Sequence, residues 1–391
     1  MILDVPGLES LELRKGRRVL VRLDLNVPLD GGVVQDDLRI TAALPTIDYL
    51  RESGAIVVAC SHLGRPDGVV DPAFSLAPVA QRLTELVGPV VELAPAVVGP
   101  RVEPILASSE PGMVVLLENL RFERGETEND PAFGTNLSML ADVYVNDAFG
   151  SSHRAHASIV APPRVLPHAG GRLLFREVEA LGRVLHEPAR PFVAVLGGAK
   201  VSDKLGVIAA LLDRCDSVLV GGAMAFTFLR ARGLGVGASL VEPDFVAECT
   251  SLLESGRVEI PVDVVVAEGP SPTASTRVVA ADAIPDGWMG LDIGPETAER
   301  YAASVGDAAT VLWNGPMGMF EVAPFAAGTE RVAQAVAESD GFTVVGGGDS
   351  AAAIRQFGLD HRVDHVSTGG GAALELIEHG DRPGLEALRR A

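Results

Sequence analysis

The sequence predicts an α/β protein built from two doubly wound parallel-sheet domains that a connecting helix joins. Short apolar, β-branched runs alternate with amphipathic segments of helical length along the chain, as expected for parallel sheets covered by helices. The chain has 391 residues, which corresponds to two or three domains at about 150 residues per domain. Ten strand-like runs fit two sheets better than one large sheet.

The apolar runs define the predicted elements. In the first half, the predicted strands are 19–25, 56–60, 114–117 and 143–146. In the second half, they are 192–196, 218–220, 262–266, 311–313, 343–345 and 365–367. A helix is predicted over 203–215, because its leucines and Ile208 fall on one face. The Pro-rich stretches 89–111 and 261–285 are predicted to be loops.

A helical segment separates the two halves. Residues 173–187 contain no Pro and a single Gly, while Gly170 and Gly171 precede the segment and Pro188 follows it. We interpret 173–187 as a connecting helix and hinge. The first domain is then expected to span 1–172 and the second domain 188–378.

Composition and charge exclude several classes of protein. The chain carries 32 Lys and Arg against 52 Asp and Glu, a net charge of −20, which is unsuited to binding a nucleic acid. The first 30 residues lack the basic start and apolar run of a signal peptide, and no later segment reaches about 18 consecutive apolar residues. Cys60, Cys215 and Cys249 are widely spaced, which indicates neither a disulfide framework nor a zinc site. We therefore expect a soluble cytoplasmic protein without nucleic-acid or membrane partners.

Five predicted strands of the second half end in glycine-rich segments. They are LGGAK (196–200), VGGAMA (220–225), WNGPMG (313–318), VGGGDS (345–350) and STGGGAA (367–373). Ligands of open α/β sheets bind at the carboxyl ends of the strands. Together, these segments favour a surface of backbone atoms that a flat base and a polyphosphate can approach closely. Any one of them alone is typical of a tight strand-to-helix turn.

The two common nucleotide fingerprints are missing. The sequence has no GxxxxGK[ST], and no GxGxxG follows the first strand of either half, so neither a P-loop NTPase nor an NAD-type Rossmann enzyme is predicted. Lysine occurs only three times, and both Lys200 and Lys204 lie in GGAKVSDK. This pair suggests a need for compact ammonium groups, with chance clustering as the alternative.

Two further features of the second half point to an anionic ligand. STGGGAALELIE (367–378) places three glycines before an amphipathic helix, whose N-terminus attracts an anion. Asp349 follows three glycines and is a candidate ligand for a Mg²⁺ that bridges phosphate oxygens. Its alternative role is to N-cap the following helix, and the two roles are compatible.

Basic residues follow the strands of the first half. Asp24 and Asn26 end the first strand and share one face, because side chains alternate along a strand. The other polar residues near strand ends are Arg39, His62, Arg65, Asn119, Arg121, His153, Arg154 and His156. Such a cluster in an acidic protein favours a small polyanion, since guanidinium groups pair with phosphate and carboxylate. Each Arg alone is typical of a surface charge, and His156 is equally well explained as a core histidine.

Ten segments in order resemble the phosphoglycerate kinase family across nearly the whole chain. They are VRLDLNVPL, SHLGRPDG, LLENLRF, NDAFGSSHRAHAS, LGGAKVSDK, GGAMAFTFL, WMGLDIGPET, LWNGPMGMFE, VVGGGDSAAAI and STGGGAALELI. The resemblance implies a 3-phosphoglycerate domain, an ADP or ATP domain and a hinged cleft between them, and we expect the protein to be a monomer. It also implies that 379–391 packs back on the first domain, and that Mg²⁺ accompanies the nucleotide.

The resemblance implies a role for individual residues. The substrate contacts fall on Asp24, Asn26, Arg39, His62, Arg65, Arg121 and Arg154. The nucleotide contacts fall on Gly198, Ala199, Lys204, Gly222, Gly290, Leu291, Asn314, Pro316, Glu321, Gly347, Gly348, Asp349 and Ser350, with Asp349 holding the metal. The groups around the transferring phosphoryl fall on Arg39, Lys200, Gly370 and Gly371. Ser350 and Met319 depart from the commoner Thr and Val of the family.

The implied reaction is 1,3-bisphosphoglycerate + ADP ⇌ 3-phosphoglycerate + ATP. A carboxyl of pKa about 3.5 is ionised at neutral pH, so its attack on a phosphate needs no general base. This agrees with a sequence that supplies positive charge and amide groups rather than a catalytic Asp. The alternatives are an NAD-dependent oxidoreductase of doubly wound fold, which would need GxGxxG, and a two-domain small-anion binding protein, which has no use for the lysine pair.

Overall fold

The computed structural model describes residues 5–380 and 383–389, and these fall into two compact units. Unit 1 contains residues 5–179 and 383–389, and unit 2 contains residues 180–380. The boundary lies inside the long helix Arg172–His186, which covers the predicted connecting helix. This helix therefore contributes its first half to unit 1 and its second half to unit 2.

Parallel strands dominate both units. The strands are β1 Arg18–Leu23, β2 Leu29–Asp30, β3 Val33–Val34, β4 Ile56–Cys60, β5 Val91–Leu93, β6 Val114–Leu116, β7 Val143–Asp147, β8 His168–Gly170, β9 Phe192–Leu196, β10 Ser217–Val220, β11 Val258–Glu259, β12 Asp263–Ala267, β13 Arg277–Ala280, β14 Met289–Ile293, β15 Thr310–Asn314, β16 Phe342–Gly346 and β17 His365–Val366.

Helices follow most of these strands. They are α1 Leu38–Glu52, α2 Ala77–Val87, α3 Glu103–Ser108, α4 Arg124–Thr127, α5 Pro131–Ser138, α6 Ala157–Val160, α7 Arg172–His186, α8 Leu205–Leu212, α9 Ala225–Ala231, α10 Val246–Glu254, α11 Pro295–Gly306, α12 Ala327–Glu338, α13 Gly348–Gln356, α14 Gly370–His379 and α15 Pro383–Arg389.

Each unit is built on a six-stranded parallel sheet, which confirms the predicted fold class. The order in unit 1 is β5-β6-β4-β1-β7-β8, and the order in unit 2 is β11-β10-β9-β15-β16-β17. The central strands β4, β7, β9 and β15 are buried along their whole length, as expected for parallel strands covered on both faces. The carboxyl ends of these strands therefore carry the loops available for ligands.

One predicted strand belongs to a different sheet. Residues 262–266 were expected among the parallel strands, but β12 pairs antiparallel with β13 and β14 in a separate three-stranded sheet. An apolar run does not encode the direction of its partner, so the sequence pattern could not distinguish the two cases. The expected loops 89–111 and 261–285 are also wrong in part, since they contain β5, α3, β12 and β13.

The returning C-terminal segment packs on unit 1. Gly384 N donates to Ser152 O at 2.9 Å, and the His168 ring lies 3.1 Å from Leu388 O through Nε2. Leu385 and Leu388 of α15 are buried. The predicted segment 379–391 also includes 381, 382, 390 and 391, which lie outside the described residues, as do 1–4 of the predicted first domain.

Candidate active site

Asp24 and Arg39 form an ion pair at the carboxyl end of β1. Arg39, on the first turn of α1, donates from Nη1 to Asp24 Oδ1 at 3.0 Å. The Asp24 carboxylate is buried, while the Arg39 side chain keeps 31% of its surface exposed. Asp24 thus orients a guanidinium group whose remaining N–H groups are available to a ligand.

The loop after β4 links Asn26 to Arg121 through Gly64. Asn26 Oδ1 accepts from Gly64 N at 2.9 Å, and Arg121 Nη1 donates to Gly64 O at 2.6 Å. Arg121 is buried, and its Nε has no hydrogen-bond partner. Burial, followed by the charges of Arg154, Arg22 and Arg65, lowers the pKa of Arg121 to about 10. A bound anion would stabilise the charged form of Arg121, which its present surroundings disfavour.

The remaining arginines lie on the surface. Arg65 and Arg154 are exposed, and Arg154 donates from Nε to His153 Nε2 at 2.9 Å. Both charges act on Arg121, so the structure brings the predicted arginines close enough to influence one another. We use the name arginine edge for the following residues: Asp24, Asn26, Arg39, His62, Arg65, Arg121 and Arg154.

Two of the three candidate histidines, His62 and His156, are buried, and their surroundings favour the uncharged form. Burial and then the nearby Arg22 hold the pKa of His62 well below its usual value. Burial and then Arg22 likewise lower the pKa of His156 to about 4, although its Nδ1 lies 3.8 Å from Glu126 Oε1. His156 is therefore a core histidine beneath the arginine edge, which is the second of its two sequence interpretations.

Sequence reasoning did not single out Arg22 and Glu126, which lie under the arginine edge. Both side chains are completely buried and 4.0 Å apart. Arg22 Nε donates to Ser158 Oγ at 2.9 Å, and Ser158 Oγ donates to Glu126 Oε1 at 2.6 Å. An arginine within the apolar run of β1 was the available signal for Arg22, because a buried charge requires a partner. Glu126 gave no local signal.

In unit 2, the five glycine-rich strand ends come together. β10, β9, β15, β16 and β17 are consecutive neighbours in the sheet. Gly198 N donates to Pro316 O at 3.1 Å and Gly222 N donates to Met317 O at 2.9 Å, so the segments bond through their backbones. We use the name glycine edge for the following residues: Gly197, Gly198, Gly221, Gly222, Gly315, Gly347 and Gly370.

The strand ends of the glycine edge can pack closely because glycine has no side chain. A Cβ at Gly222, whose φ is +67°, would lie 2.5 Å from Gly198 N and 2.6 Å from Gly198 O. A Cβ at Gly370 would lie 3.1 Å from Gly347 Cα. Side chains at these positions would separate the strand ends, so the backbone surface that the sequence predicts depends on glycine.

Lys204 lies against the end of β15. Its Nζ donates to Asn314 O at 2.8 Å and to Asn314 Oδ1. Burial lowers the pKa of Lys204 to about 8, and the carboxylates of Asp349 and Asp203 oppose that shift. Lys200 and Ala199 are exposed. The ammonium of Lys204 is therefore held inside the glycine edge, whereas that of Lys200 reaches solvent.

Glu242 is a third residue that sequence reasoning did not single out, after Arg22 and Glu126. Its carboxylate accepts from Val201 N at 2.5 Å, from Ser202 N at 3.1 Å and from Ser202 Oγ at 2.6 Å. These donors lie between the two lysines, so Glu242 fixes the segment that carries both. Its partners are 40 residues away in the chain, which is why no local motif revealed it.

Asp349 and Ser350 lie in the first turn of α13 and have different surroundings. Ser350 Oγ donates to Gly346 O at 2.8 Å and accepts from Gly315 N at 2.6 Å, so the hydroxyl joins two strand ends. Asp349 is exposed in the first turn, next to exposed Gly348. The expectation that Asp349 N-caps the helix is wrong, because Gly347 occupies that position with φ +95°.

The other predicted nucleotide residues surround this edge. Gly290 and Leu291 lie on β14, where Gly290 N donates to Ser239 Oγ at 2.9 Å. Leu291 O accepts from Met319 N at 3.0 Å, which places the partly exposed Met319 beside β14. Glu321 is exposed, Pro316 is half-buried, and Gly370 and Gly371 are the first residues of α14. The first N–H groups of a helix have no intrahelical acceptor and can bind an anion.

The carboxylate of Asp349, two residues from Gly347 of the glycine edge, fits a nucleotide-bound metal better than a metal held by protein alone. Within 5–380 and 383–389, no group of three or more His, Cys, Asp or Glu is arranged to hold a metal ion. Mg²⁺ is commonly bound by one or two carboxylates together with phosphates and water. The single exposed carboxylate of Asp349 suits that coordination.

Comparisons with known proteins agree with one another. The sequence model of the phosphoglycerate kinase family matches residues 8–380. The chain is 56% identical over 388 residues to a phosphoglycerate kinase of Rubrobacter xylanophilus, covering 99% of this chain and 98% of that protein. The solved phosphoglycerate kinase of Coxiella burnetii is 40% identical with a TM-score of 0.86, and that of Pyrococcus horikoshii is 35% identical with a TM-score of 0.89; each comparison covers 98% of both chains.

Proposed function

The chain belongs to the phosphoglycerate kinase family and transfers a phosphoryl group as that family does, and from this premise we propose which residues perform each part of the reaction. The phosphoryl group passes directly between 1,3-bisphosphoglycerate and ADP, giving 3-phosphoglycerate and ATP. The family assignment favours neither of the alternatives, an NAD-dependent oxidoreductase and a small-anion binding protein. One observation carries the proposal: unit 1 presents clustered guanidinium groups and unit 2 presents a glycine backbone surface.

The arginine edge is the proposed site of 3-phosphoglycerate. Arg65, Arg121 and Arg154 supply positive charge for its phosphate, because guanidinium groups pair bidentately with phosphate oxygens. The unpaired Nε of Arg121 supports this role, since a buried N–H without an acceptor is stabilised by a ligand. Asp24, Asn26 and His62 supply hydrogen bonds that orient the substrate, and Arg39 faces its carboxyl group.

The glycine edge is the proposed site of ADP and ATP. Lys204 binds the nucleotide phosphates. Its ammonium group is buried and hydrogen-bonded to the neutral Asn314, so a phosphate that replaces Asn314 would supply a negative counter-charge. The base lies along the backbone of 290–291 and against Met319, with Gly198, Gly222 and Pro316 below the phosphates. Ser350 acts by joining β15 and β16 rather than by contacting the nucleotide, as its occupied hydroxyl supports.

Asp349 is the proposed protein ligand of Mg²⁺. When bound with the nucleotide, the ion neutralises charge on the phosphate oxygens. The chain's own contributions are positioning and charge stabilisation. Arg39, Lys200 and the amides of Gly370 and Gly371 surround the transferring group and stabilise the charge on its oxygens. The attacking carboxylate of 3-phosphoglycerate is already ionised, so no residue is assigned as a general base.

Because the two proposed ligand sets belong to different units, direct transfer requires the units to bring their ligands together and exclude water. Small-angle X-ray scattering tests this requirement. The radius of gyration is expected to fall when 3-phosphoglycerate and a magnesium nucleotide are both bound. An unchanged radius with both ligands bound would contradict domain closure.

Two further properties, a cytoplasmic location and a monomeric state, are proposed from the chemistry of the side chains. The three cysteines are free and buried, as suits the reducing environment of the cytoplasm. Large exposed apolar side chains such as Val33, Met139 and Leu240 come from segments far apart in the sequence, which favours a monomer. No helix among the described residues combines the length and apolar character needed to cross a bilayer.

A coupled assay tests the function. Consumption of ATP is expected only when 3-phosphoglycerate is present, and it is expected to stop when Mg²⁺ is chelated and to return when Mg²⁺ is restored. Thermal unfolding provides an independent measurement. MgADP is expected to raise the Tm, whereas protection by NADH without protection by MgADP would favour the oxidoreductase alternative.

A further inference from the structure

Arg22 is a completely buried arginine that contacts a residue of the arginine edge. It lies on β1, two residues before Asp24, and its guanidinium group has three directed contacts. Nη1 donates to Leu23 O, Nε donates to Ser158 Oγ at 2.9 Å, and Nη2 lies 3.2 Å from His62 Nδ1. With no exposed surface, Arg22 cannot contact a ligand directly. Its charge also acts on Arg121, but its hydrogen-bond contact with the arginine edge is made to His62.

The chemistry of the two side chains determines the direction of their hydrogen bond. A guanidinium group remains protonated in proteins and has N–H donors but no acceptor. His62 Nδ1 must therefore accept, and a neutral imidazole that accepts at Nδ1 carries its proton on Nε2. We propose that Arg22 is a positioning residue that fixes His62 as the neutral Nε2–H tautomer. Through that tautomer, His62 offers an N–H donor to an oxygen of the substrate, so the inference rests on the substrate contact proposed for His62.

The charges around His62 oppose the imidazolium form. Burial disfavours it first, and the positive charges of Arg22, Arg121 and Arg39 and the nearby His156 disfavour it further. Asp24 Oδ1 lies 4.0 Å from Nδ1, which is beyond hydrogen-bond distance. A proton on Nδ1 would also point at an N–H of Arg22. The surroundings of the ring thus disfavour both the cation and the other neutral tautomer.

Glu126 and Ser158 hold Arg22 in this orientation. Ser158 N donates to Glu126 Oε2 at 2.9 Å, and the Ser158 hydroxyl gives its single proton to Glu126 Oε1 at 2.6 Å. The hydroxyl oxygen is therefore an acceptor toward Arg22 Nε. Glu126 can only accept and Arg22 can only donate, so every bond in the chain from Glu126 to His62 has one direction. Glu126 also supplies the counter-charge that a buried guanidinium requires.

Nitrogen NMR of the full chain tests the proposal without reference to activity. In protein labelled with ¹⁵N, long-range correlations distinguish a bare ring nitrogen from a protonated one, and a His62→Gln variant identifies the His62 signals. The expected result is a bare Nδ1 and a protonated Nε2 that do not titrate between about pH 6 and 8, where an ordinary histidine does. A proton on Nδ1, or an imidazolium in that range, would overturn the proposal, whereas failure of the kinase assay alone would overturn only the proposed function.

Variants separate positioning from a structural role. Arg22→Lys keeps a buried cation without acceptors and is expected to keep the Nε2–H tautomer. Arg22→Met is expected to let both tautomers appear and to raise the KM for 3-phosphoglycerate about tenfold, the effect of one hydrogen bond to a charged group, while ADP affinity stays unchanged. Arg18→Met, at the start of the same strand, is the matched control and is expected to leave the His62 signals unchanged. If Arg22→Met does not fold, the nitrogen spectrum of the unmodified chain still shows whether His62 is the Nε2–H tautomer.

An Arg22→Met protein that folds and keeps the Nε2–H tautomer alone would show that another group orients His62. Loss of affinity for both substrates to the same extent would indicate a general loss of structure instead of positioning. Either result would overturn the role assigned to Arg22.

Discussion

The arginine edge of unit 1 consists of charged side chains, whereas the glycine edge of unit 2 consists of backbone. Both lie at the carboxyl ends of six-stranded parallel sheets, so the same architecture supports two kinds of recognition. In unit 1, buried charges need counter-charges, which Asp24 and Glu126 provide. In unit 2, the close backbone approach needs the absence of side chains. If the proposed sites are correct, a small acid is bound mainly through charge and a nucleotide mainly through the close approach of backbone.

This difference predicts which substitutions should abolish ligand binding at each edge. Removing charge should disable the arginine edge while its fold persists, because the guanidinium groups contribute through their interaction with the ligand. Adding a single methyl group should disable the glycine edge, because the strand ends can no longer meet. The experiments below test this contrast, beginning with the largest expected effect.

Arg39→Ala is expected to cause the largest loss of activity. Arg39 is proposed to act on the carboxyl and transferring groups, and removing one such donor reduces turnover by about 10²- to 10³-fold. ADP binding is expected to change little, because Arg39 lies in unit 1. Steady-state kinetics and calorimetric titration with ADP measure the two quantities. Arg164→Ala, at an exposed arginine of the same unit, is the control. Equal losses of turnover and ADP affinity would contradict the assignment.

Gly222→Ala is expected to damage the glycine edge through sterics alone. The new Cβ would press on Gly198, and overpacking of this kind destabilises a protein by about 1–3 kcal/mol. Gly233→Ala is a matched control, because Gly233 also has a positive φ, +81°, but open space around its Cβ position. The control should show only the strain of the left-handed backbone, about 1 kcal/mol. Denaturant unfolding and ADP affinity compare the pair. Indistinguishable variants would mean that close backbone packing is not what the glycine provides.

Glu242→Ala is expected to weaken nucleotide use by about 10- to 100-fold in kcat/KM, the effect of losing hydrogen bonds to a charged group. Glu242 holds 201–202 between the two lysines. Glu242→Gln can preserve these contacts if the Ser202 hydroxyl reverses its direction, so it should retain more activity. Glu248→Ala, at an exposed glutamate nearby in the chain, is the control. A double-mutant cycle with Ser202→Ala should show coupling. Additive losses would mean that the two residues act separately.

The sequence predicted those parts of the molecule that depend on local pattern. The apolar runs located most strands of both parallel sheets but missed β5, β8 and β11, which are only two or three residues long. The strand-end rule then identified Arg121 and the glycines, and the paired lysines of GGAKVSDK identified Lys204. Contacts distant in the chain were not predictable in this way. Glu126 lies 32 residues from Ser158, and its short helix has no distinctive motif. The antiparallel pairing of β12 was also not predictable, because an apolar run does not indicate the direction of the strand beside it.

The buried ammonium of Lys204 gives the glycine edge a pH dependence. Burial lowers the pKa of Lys204 to about 8, so the free enzyme loses this positive charge as the pH rises above that value. Binding of ADP then requires a proton, and the affinity is expected to fall by up to about tenfold per pH unit. In Lys204→Arg, the guanidinium stays charged and the profile should flatten. Calorimetric titrations between pH 7 and 9.5 measure it, and equal slopes in both proteins would exclude Lys204 as the titrating group.

The smallest expected effect compares one buried carboxyl group in each unit. Burial raises the pKa of Asp147 in unit 1 to about 6 and that of Asp292 in unit 2 to about 7, from an ordinary value of 3.8. Both accept backbone N–H groups, Asp147 from Leu174 of α7 and Asp292 from Gly328 of α12. Between pH 4 and these values, the folded chain binds more protons than the unfolded chain. The free energy of unfolding should therefore fall as the pH rises through that window.

Asn substitutions test this linkage. The substituted side chain of Asp292→Asn cannot ionise. Between pH 5 and 7, the free energy of unfolding of this variant should therefore fall less steeply with pH than that of the unmodified chain, by about 1 kcal/mol per pH unit. Asp147→Asn should lose its slope at lower pH, between 4 and 6, because its pKa is raised less. Urea unfolding at several pH values measures both slopes. Since α7 is shared by the units while α12 belongs to unit 2, ADP should restore stability to Asp292→Asn more than to Asp147→Asn. A larger stabilisation of Asp147→Asn than of Asp292→Asn by ADP would show that the two carboxyl groups do not act within their own units.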